Sequence, residues 1–245
     1  MKLLLLLVLF AFTINSGEPE NKLVKQTSTD LIEDVNFTIK KSSFLSCWSD
    51  ASEFVALVKD PDVCKFLFVA EATPEEAEQI ASSLKTKLSA AFAFMIPNSV
   101  FPRWMIKEKR SNNYIGCITL SAINPTIALL LKQCDQELTG NYLNFGIAIK
   151  KSEWHKHYAM QAMKAFLSSI FTSNEYRDIK GIVFCTNPSN KNGLNLVQNP
   201  NTQQVKKPFV YHGEINFPQG FCKTLPKACV AHCFTLSKKN FFDIK

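Results

Sequence analysis

Glycine is scarce, with 8 residues in a chain of 245. The signatures built on glycine are missing with it. There is no P-loop, and no Gly-x-Ser-x-Gly elbow to expose a nucleophilic serine on a strand-to-helix turn. The zinc-protease helix motif is also absent. No arginine-rich arm or zinc-finger spacing points to nucleic acid, and no internal repeat points to a solenoid. The apolar run Leu3–Phe12 falls short of the ~20 residues a comfortable bilayer span needs.

What is present suits a globular protein. Apolar residues make up 46% and charged residues 20%, enough to bury a core, and 20 phenylalanines supply much of its volume. The length allows one large domain or two small ones. The net charge of +7 permits contact with an anion, such as a polyphosphate cofactor or a lipid head group, without requiring one. Apart from short clusters such as Lys107, Lys109, Arg110 and Lys206, Lys207, the basic residues are spread along the chain. They read as a solvated surface.

Residues 1–17 have the parts of a secretory signal peptide. Lys2 precedes an apolar run, and small residues Ser16 and Gly17 follow it. The competing readings are a misassigned start codon and a short membrane anchor. If the segment acts as a signal the chain is exported or membrane-anchored; otherwise it is cytoplasmic. Eight cysteines (Cys47, Cys64, Cys117, Cys134, Cys185, Cys222, Cys229 and Cys233) permit disulfides in an exported chain. Cys117 and Cys185, however, lie in apolar runs that read as central strands, where a thiol serves as a small buried hydrophobe. Asn36-Phe37-Thr38 is a glycosylation sequon, meaningful in a eukaryotic secretory route.

Residues 18–35 are polar and aperiodic and read as a linker to a single domain over 36–245. The domain alternates strand and helix signals. Helices are expected near 49–59, 74–89 and 158–172, from apolar residues at helical spacing. Asp60-Pro61-Asp62 ends the first. Thr73-Pro74-Glu75-Glu76 opens the second as a capping box with proline in the first turn. Strands are expected at 37–40, 90–96, 103–107, 114–120, 143–150, 179–185, 209–215 and 229–236, with Asn112-Asn113 as a hairpin turn. An apolar insertion at 125–134 suits a short helix. Residues 187–201 are rich in turn formers, and Pro200 limits any helix there.

This order of elements resembles the GNAT acetyltransferase superfamily, and local segments sharpen the likeness to its ribosomal-protein-serine acetyltransferase branch. Asp60-Pro61-Asp62-Val63-Cys64-Lys65-Phe66-Leu67 looks like "DPEVxRYL", and Thr73-Pro74-Glu75-Glu76-Ala77 like "TxEEA". Tyr114–Leu120 resembles "LIGxIGL", and Leu143–Ile149 stands in the place of "AEIGYWL". Trp154–Ala162 lines up with "WGKGYATEA", and Asn187-Pro188-Ser189-Asn190 with "DPEN". The resemblance implies an α/β fold whose mixed, mostly antiparallel sheet splays in the middle and is flanked by helices. It implies acetyl transfer from acetyl-CoA to a protein N-terminus or small amine. It also implies a cofactor site. Ile147, Ala148 and Ile149 would pair with pantetheine, Trp154, His155, Lys156, His157, Tyr158 and Ala159 would hold pyrophosphate at a helix start, and Asn190 would contact the cofactor.

Two positions depart from the pattern. His155 and His157 replace loop glycines, which tolerate positive φ and let phosphate reach the backbone. Gly193 replaces a serine that lies near the thiolate in relatives. Weakened acetyl-CoA binding is the expectation, and a catalytically inactive GNAT-fold binding module, exported if the leader acts, is the alternative function. Lys150, Lys151 and Lys156 are expected to add positive potential to the loop. Glu153, Tyr158, Tyr211 and His212 are conceivable proton-transfer groups, but no spacing singles one out, so no catalytic residue is assigned. No metal is expected. Cys229-x-x-His232-Cys233 invites zinc, yet Cys229, Ala231 and Cys233 alternate on one face of a strand with His232 on the other. The expected partners are acetyl-CoA and an amine, not nucleic acid, and a membrane only through an uncleaved leader.

Overall fold

The structure is a computed structural model that describes residues 30–42, 47–67, 72–93, 103–123, 128–129, 141–198, 209–217 and 228–243. Residues 1–17, expected to form a signal-like segment, most of the insertion at 125–134 and Pro200 lie outside them. An eight-stranded sheet runs through the domain in the order β1-β2-β3-β4-β5-β6-β8-β7. Its strands are β1 (Leu31–Glu33), β2 (Phe37–Lys41), β3 (Arg103–Glu108), β4 (Tyr114–Ala122), β5 (Tyr142–Ile149), β6 (Gly181–Thr186), β7 (Val210–Phe217) and β8 (Cys229–Ser237). Every pairing is antiparallel except β5 with β6. The helices are α1 (Cys47–Lys59), α2 (Pro61–Leu67), α3 (Pro74–Ala93), α4 (Tyr158–Thr172), α5 (Lys191–Gln198) and α6 (Lys238–Phe242).

Helix α4 covers one face of the sheet. Ala162, Met163, Phe166, Leu167, Ile170 and Phe171 recur three or four residues apart and form a single buried stripe. The stripe packs on Trp104, Ile106, Ile118, Phe145, Ile182 and Phe234. Phe166 lies edge-on to Trp104, with ring centroids 4.8 Å apart and both side chains fully buried. Truncating a phenylalanine in such a position costs about 3–5 kcal/mol. The other face is covered by α1, α2 and α3, whose Phe54, Leu57, Val58, Val63, Ala77, Ile80 and Ala81 pack against Met105 and Cys117. Asp50 is buried on this face because its carboxylate accepts a 2.6 Å hydrogen bond from the Tyr114 hydroxyl. Burial and that bond both raise the Tyr114 pKa.

The helix starts follow local chemistry. Thr73 N–H donates to Glu76 Oε2 at 2.8 Å, and Glu76 N–H donates to Thr73 Oγ1 at 3.2 Å, closing the expected capping box. Asp60-Pro61-Asp62 ends α1 but also begins α2. Asp60 Oδ1 accepts from Asp62 N–H at 3.0 Å, and Pro61 takes the first helical position, where no N–H is needed. Asn112 adopts φ 57° in the β3–β4 hairpin.

Three expectations change. The sheet begins at Leu31, inside the segment read as a linker, because Leu31–Glu33 pairs with Thr38–Lys40. Residues 90–93, expected to enter a strand, continue α3. Alanine is the strongest helix former, and no turn residue separates Ser89 from Ala93. Residues 94–96 lie outside the described residues. The third change is α2 itself, a helix where only a break was expected.

Candidate active site

The sheet opens between β5 and β6. These strands pair only over Tyr142–Asn144 and Gly181–Val183. Beyond Asn144 no described strand pairs with that edge of β5, while β4 holds its other edge through to Ile149. Lys150 N–H donates to Ile115 O at 2.8 Å across β4. Main-chain direction alternates along a strand, so the groups of Ile147 and Ile149 face the opening and those of Ala148 face β4. Trp154 Nε1 donates to Ile149 O at 2.8 Å and takes up one acceptor of that edge. The indole is part-buried between the two core clusters, where it fixes the chain's exit from β5.

After a short 3-10 turn at Lys151–Glu153 the chain enters α4 through two left-handed residues, His155 at φ 64° and His157 at φ 61°. Histidine here takes the conformation glycine adopts freely, at a cost of roughly 1–2 kcal/mol per residue. His157 is the N-cap of α4 and makes no side-chain cap bond. The first helical bond runs from Gln161 N–H to His157 O at 3.1 Å. The N–H groups of Tyr158, Ala159 and Met160 therefore have no acceptor within the helix. A turn that begins in the left-handed region and ends in uncapped donors, with the positive end of the helix dipole behind them, favours an anion.

The lysines contribute less than expected. Lys150 Nζ lies 3.0 Å from Glu53 Oε2, Lys156 Nζ 2.8 Å from Glu153 Oε2, and Lys151 pairs with Asp62. These bonds to Asp62 and Glu153 raise the pKa values of Lys151 and Lys156. The positive potential expected of the loop is largely neutralised by carboxylates brought from α1, α2 and the loop itself.

Tyr158 is also engaged. Its hydroxyl donates to Glu108 Oε1 at 2.6 Å, and that bond first, then burial, pushes its pKa up to about 12. Asn190 Oδ1 accepts from Gly193 N–H at 2.9 Å and so caps α5. A Cβ at Gly193 would come within 2.7 Å of both Asn190 Nδ2 and Thr186 Oγ1. The position accepts glycine because the Thr186 hydroxyl and the capping amide fill the space.

The Acetyltransferase (GNAT) domain family matches residues 45–199. The chain belongs to the GNAT acetyltransferase family. No curated protein matches it significantly. Among solved structures it is similar to a GNAT-family acetyltransferase from Bacillus anthracis, at 14% identity and TM-score 0.51, covering 85% of this chain and 99% of that one. A spermidine N-acetyltransferase SpeG variant from Vibrio cholerae superposes with TM-score 0.55 at 13% identity, covering 86% and 98%. An acetyl transferase from Salmonella typhimurium that modifies the N-terminal serine of a 50S ribosomal subunit protein gives TM-score 0.50 at 11% identity, covering 84% and 98%. At these identities the likeness is one of fold.

Ile147 and Ile149 lie on the open edge of β5, Ala148 faces β4 instead, and Trp154, His155, Lys156, His157, Tyr158 and Ala159 form the chain's entry into α4. Asn190 stands at the start of α5, directly after β6, the other side of the opening. Of the conceivable proton-transfer groups, Glu153 and Tyr158 are tied up as above. His212 Nε2 lies 2.7 Å from Thr235 Oγ1, and Tyr211 packs against His232 with ring centroids 5.3 Å apart. The packing of the Thr186 hydroxyl beside Gly193 was not foreseen from the sequence. Thr186 ends a buried strand, and nothing in its spacing marks it. On β8, Ala231 and Cys233 belong to one buried cluster, with Cys229 packed against it. Among the described residues no group of three or more His, Cys, Asp or Glu is placed to hold a metal ion.

Proposed function

We propose that this GNAT domain transfers an acetyl group from acetyl-CoA to an amine, either a protein N-terminus or a small amine. The observation that carries the reading is the backbone of the α4 entry. Both histidines hold the left-handed conformation, and three helical N–H groups beyond them have no acceptor within the helix. Those donors suit the pyrophosphate of acetyl-CoA, and the open edge at Ile147 and Ile149 suits the amide groups of its pantetheine arm. The histidine Cβ atoms add bulk, but both residues hold the positive φ that glycine tolerates freely. The inactive-module alternative rested on the loop being broken, and this geometry favours it less.

In the proposed reaction the amine nitrogen bonds to the thioester carbonyl carbon. The carbon–sulfur bond then breaks, CoA leaves as the thiolate and takes up a proton from solvent, and the amine nitrogen gives up a proton to solvent or to a group on the acceptor side. The chain's own contribution is binding and orientation through main-chain donors. The test is release of free CoA thiol from acetyl-CoA on addition of amines, using a serine-initiated peptide and spermidine as acceptors. Thiol release above the background of acetyl-CoA alone, with a mass gain of one acetyl group on one acceptor, supports the reading. No transfer to any amine by a protein that binds acetyl-CoA would leave a binding module.

A further inference from the structure

One pair of cysteines is singled out by the sheet register. Cys185 on β6 stands directly opposite Cys233 on β8, and their sulfurs lie 2.7 Å apart. Directly opposed residues in an antiparallel ladder have Cα atoms about 4.5–5.5 Å apart, within the window of roughly 4.4–6.8 Å that disulfides occupy. Bond formation therefore needs only a small side-chain adjustment and no movement of backbone. The other strand cysteines have different neighbours across the ladder. Cys117 faces Met105 and Ala148, and Cys229 faces Phe217.

The surroundings give the two thiols different parts. Cys233 is fully buried among Val183, Ile215, Phe217 and Ala231, whereas Cys185 is partly exposed. The hydrogen bond with Cys185, and then burial, hold the Cys233 thiol far above its ordinary range. Cys185 is thus the entry point for a soluble oxidant, and Cys233 is the resolving group behind it.

We propose that Cys185 and Cys233 form a redox site, which a small-molecule disulfide oxidises to a cross-strand disulfide that staples β6 to β8. The Cys185 thiolate attacks one sulfur of the small disulfide and releases the first thiol. Cys233 then gives up its proton, attacks the Cys185 sulfur and releases the second thiol. Two protein thiols are oxidised, one small disulfide is reduced to two thiols, and the protons go to the leaving thiolates. The product locks the strand that forms one side of the β5–β6 opening. The individual apolar setting of Cys185 suggested a simple buried hydrophobe, and the pairing emerges only from the register. The inference does not depend on acetyl transfer.

The test uses the full chain. It is incubated with oxidised glutathione, blocked with iodoacetamide and digested without reduction for peptide mass mapping. The expected product is a cross-linked pair of peptides carrying Cys185 and Cys233, which dithiothreitol abolishes. Oxidation should also raise the melting temperature of the wild type and leave that of Cys185→Ser unchanged. Recovery of both cysteines as carbamidomethyl forms, of Cys185 carrying only glutathione, or of Cys233 joined to Cys229 would overturn the proposal. The peptide map is read on the wild type, so it stands even if the variant fails to fold.

Discussion

Tyr158 Oη donates to Glu108 Oε1 at 2.6 Å, and so ties the first residue of α4 to the end of β3. Glu108 also accepts from Ser111 Oγ at 2.6 Å, in the β3–β4 hairpin. The hairpin thereby holds the loop that carries His155 and His157. Tyr158→Phe should loosen that loop, lower the melting temperature and raise the KM for acetyl-CoA more than it lowers kcat.

The same bond sets a pH dependence. The folded pKa of Tyr158, about 12, lies above the ordinary tyrosine value, so its contribution is complete below pH ~10 and is lost as pH rises through about 12. Glu108 is shifted the other way, its pKa lowered first by the Ser111 hydrogen bond and then by that of Tyr158. Its contribution is present above the ordinary glutamate value and is lost as pH falls through the depressed one. Thermal melts across the alkaline range should show a drop in wild-type stability that is smaller in Tyr158→Phe, where Tyr114, whose pKa is also raised, still contributes its own loss. An identical alkaline drop in both proteins would place the loss elsewhere.

The left-handed histidines should cost stability. Replacing His155 or His157 with glycine removes strain of roughly 1 kcal/mol at each position, partly offset by the greater freedom of glycine in the unfolded chain. Urea unfolding of the double variant should give a midpoint equal to or above that of the wild type. His157→Val should lower it, because a β-branched residue resists positive φ. A fall in stability for the glycine variant would mean that the imidazoles make contacts outweighing their strain.

Much of the frame was legible before the structure. The helix at 158–172 is bounded as its apolar spacing predicts, and the box at Thr73–Glu76 forms as written. Short or ambiguous signals failed. A strand as brief as Leu31–Glu33 leaves no period to detect. Asp60-Pro61-Asp62 both ends one helix and caps the next, and only the first role was expected. The charge of the loop was misjudged because the partners of Lys150 and Lys151 lie 97 and 89 residues away in sequence. Long-range pairing of that kind leaves no local trace. The substituted histidines were visible, but the backbone they adopt was not.

Gly193 should resist enlargement. A Cβ there would crowd Asn190 Nδ2 and Thr186 Oγ1, each 2.7 Å away, and would disturb the cap of α5. Gly193→Ser, the residue the family pattern carries, should destabilise by about 0.5–2 kcal/mol, the range for a lost N-cap. Thr186→Ala combined with Gly193→Ser should recover part of that loss, since the smaller side chain makes room. Denaturant titration of the single and double variants measures both effects. A fully additive loss would show that the two residues do not compete for space.

Calorimetric titration of the wild-type chain with acetyl-CoA tests the central claim most directly. The geometry of the α4 entry predicts saturable one-to-one binding that weakens with added salt, as expected for a pyrophosphate on main-chain donors. The His155→Gly/His157→Gly double variant should bind at least as tightly, because it keeps the turn and clears the approach. A wild-type protein that is folded yet takes up no acetyl-CoA, with binding gained only in the glycine variant, would contradict the claim that histidines in the left-handed conformation preserve the site.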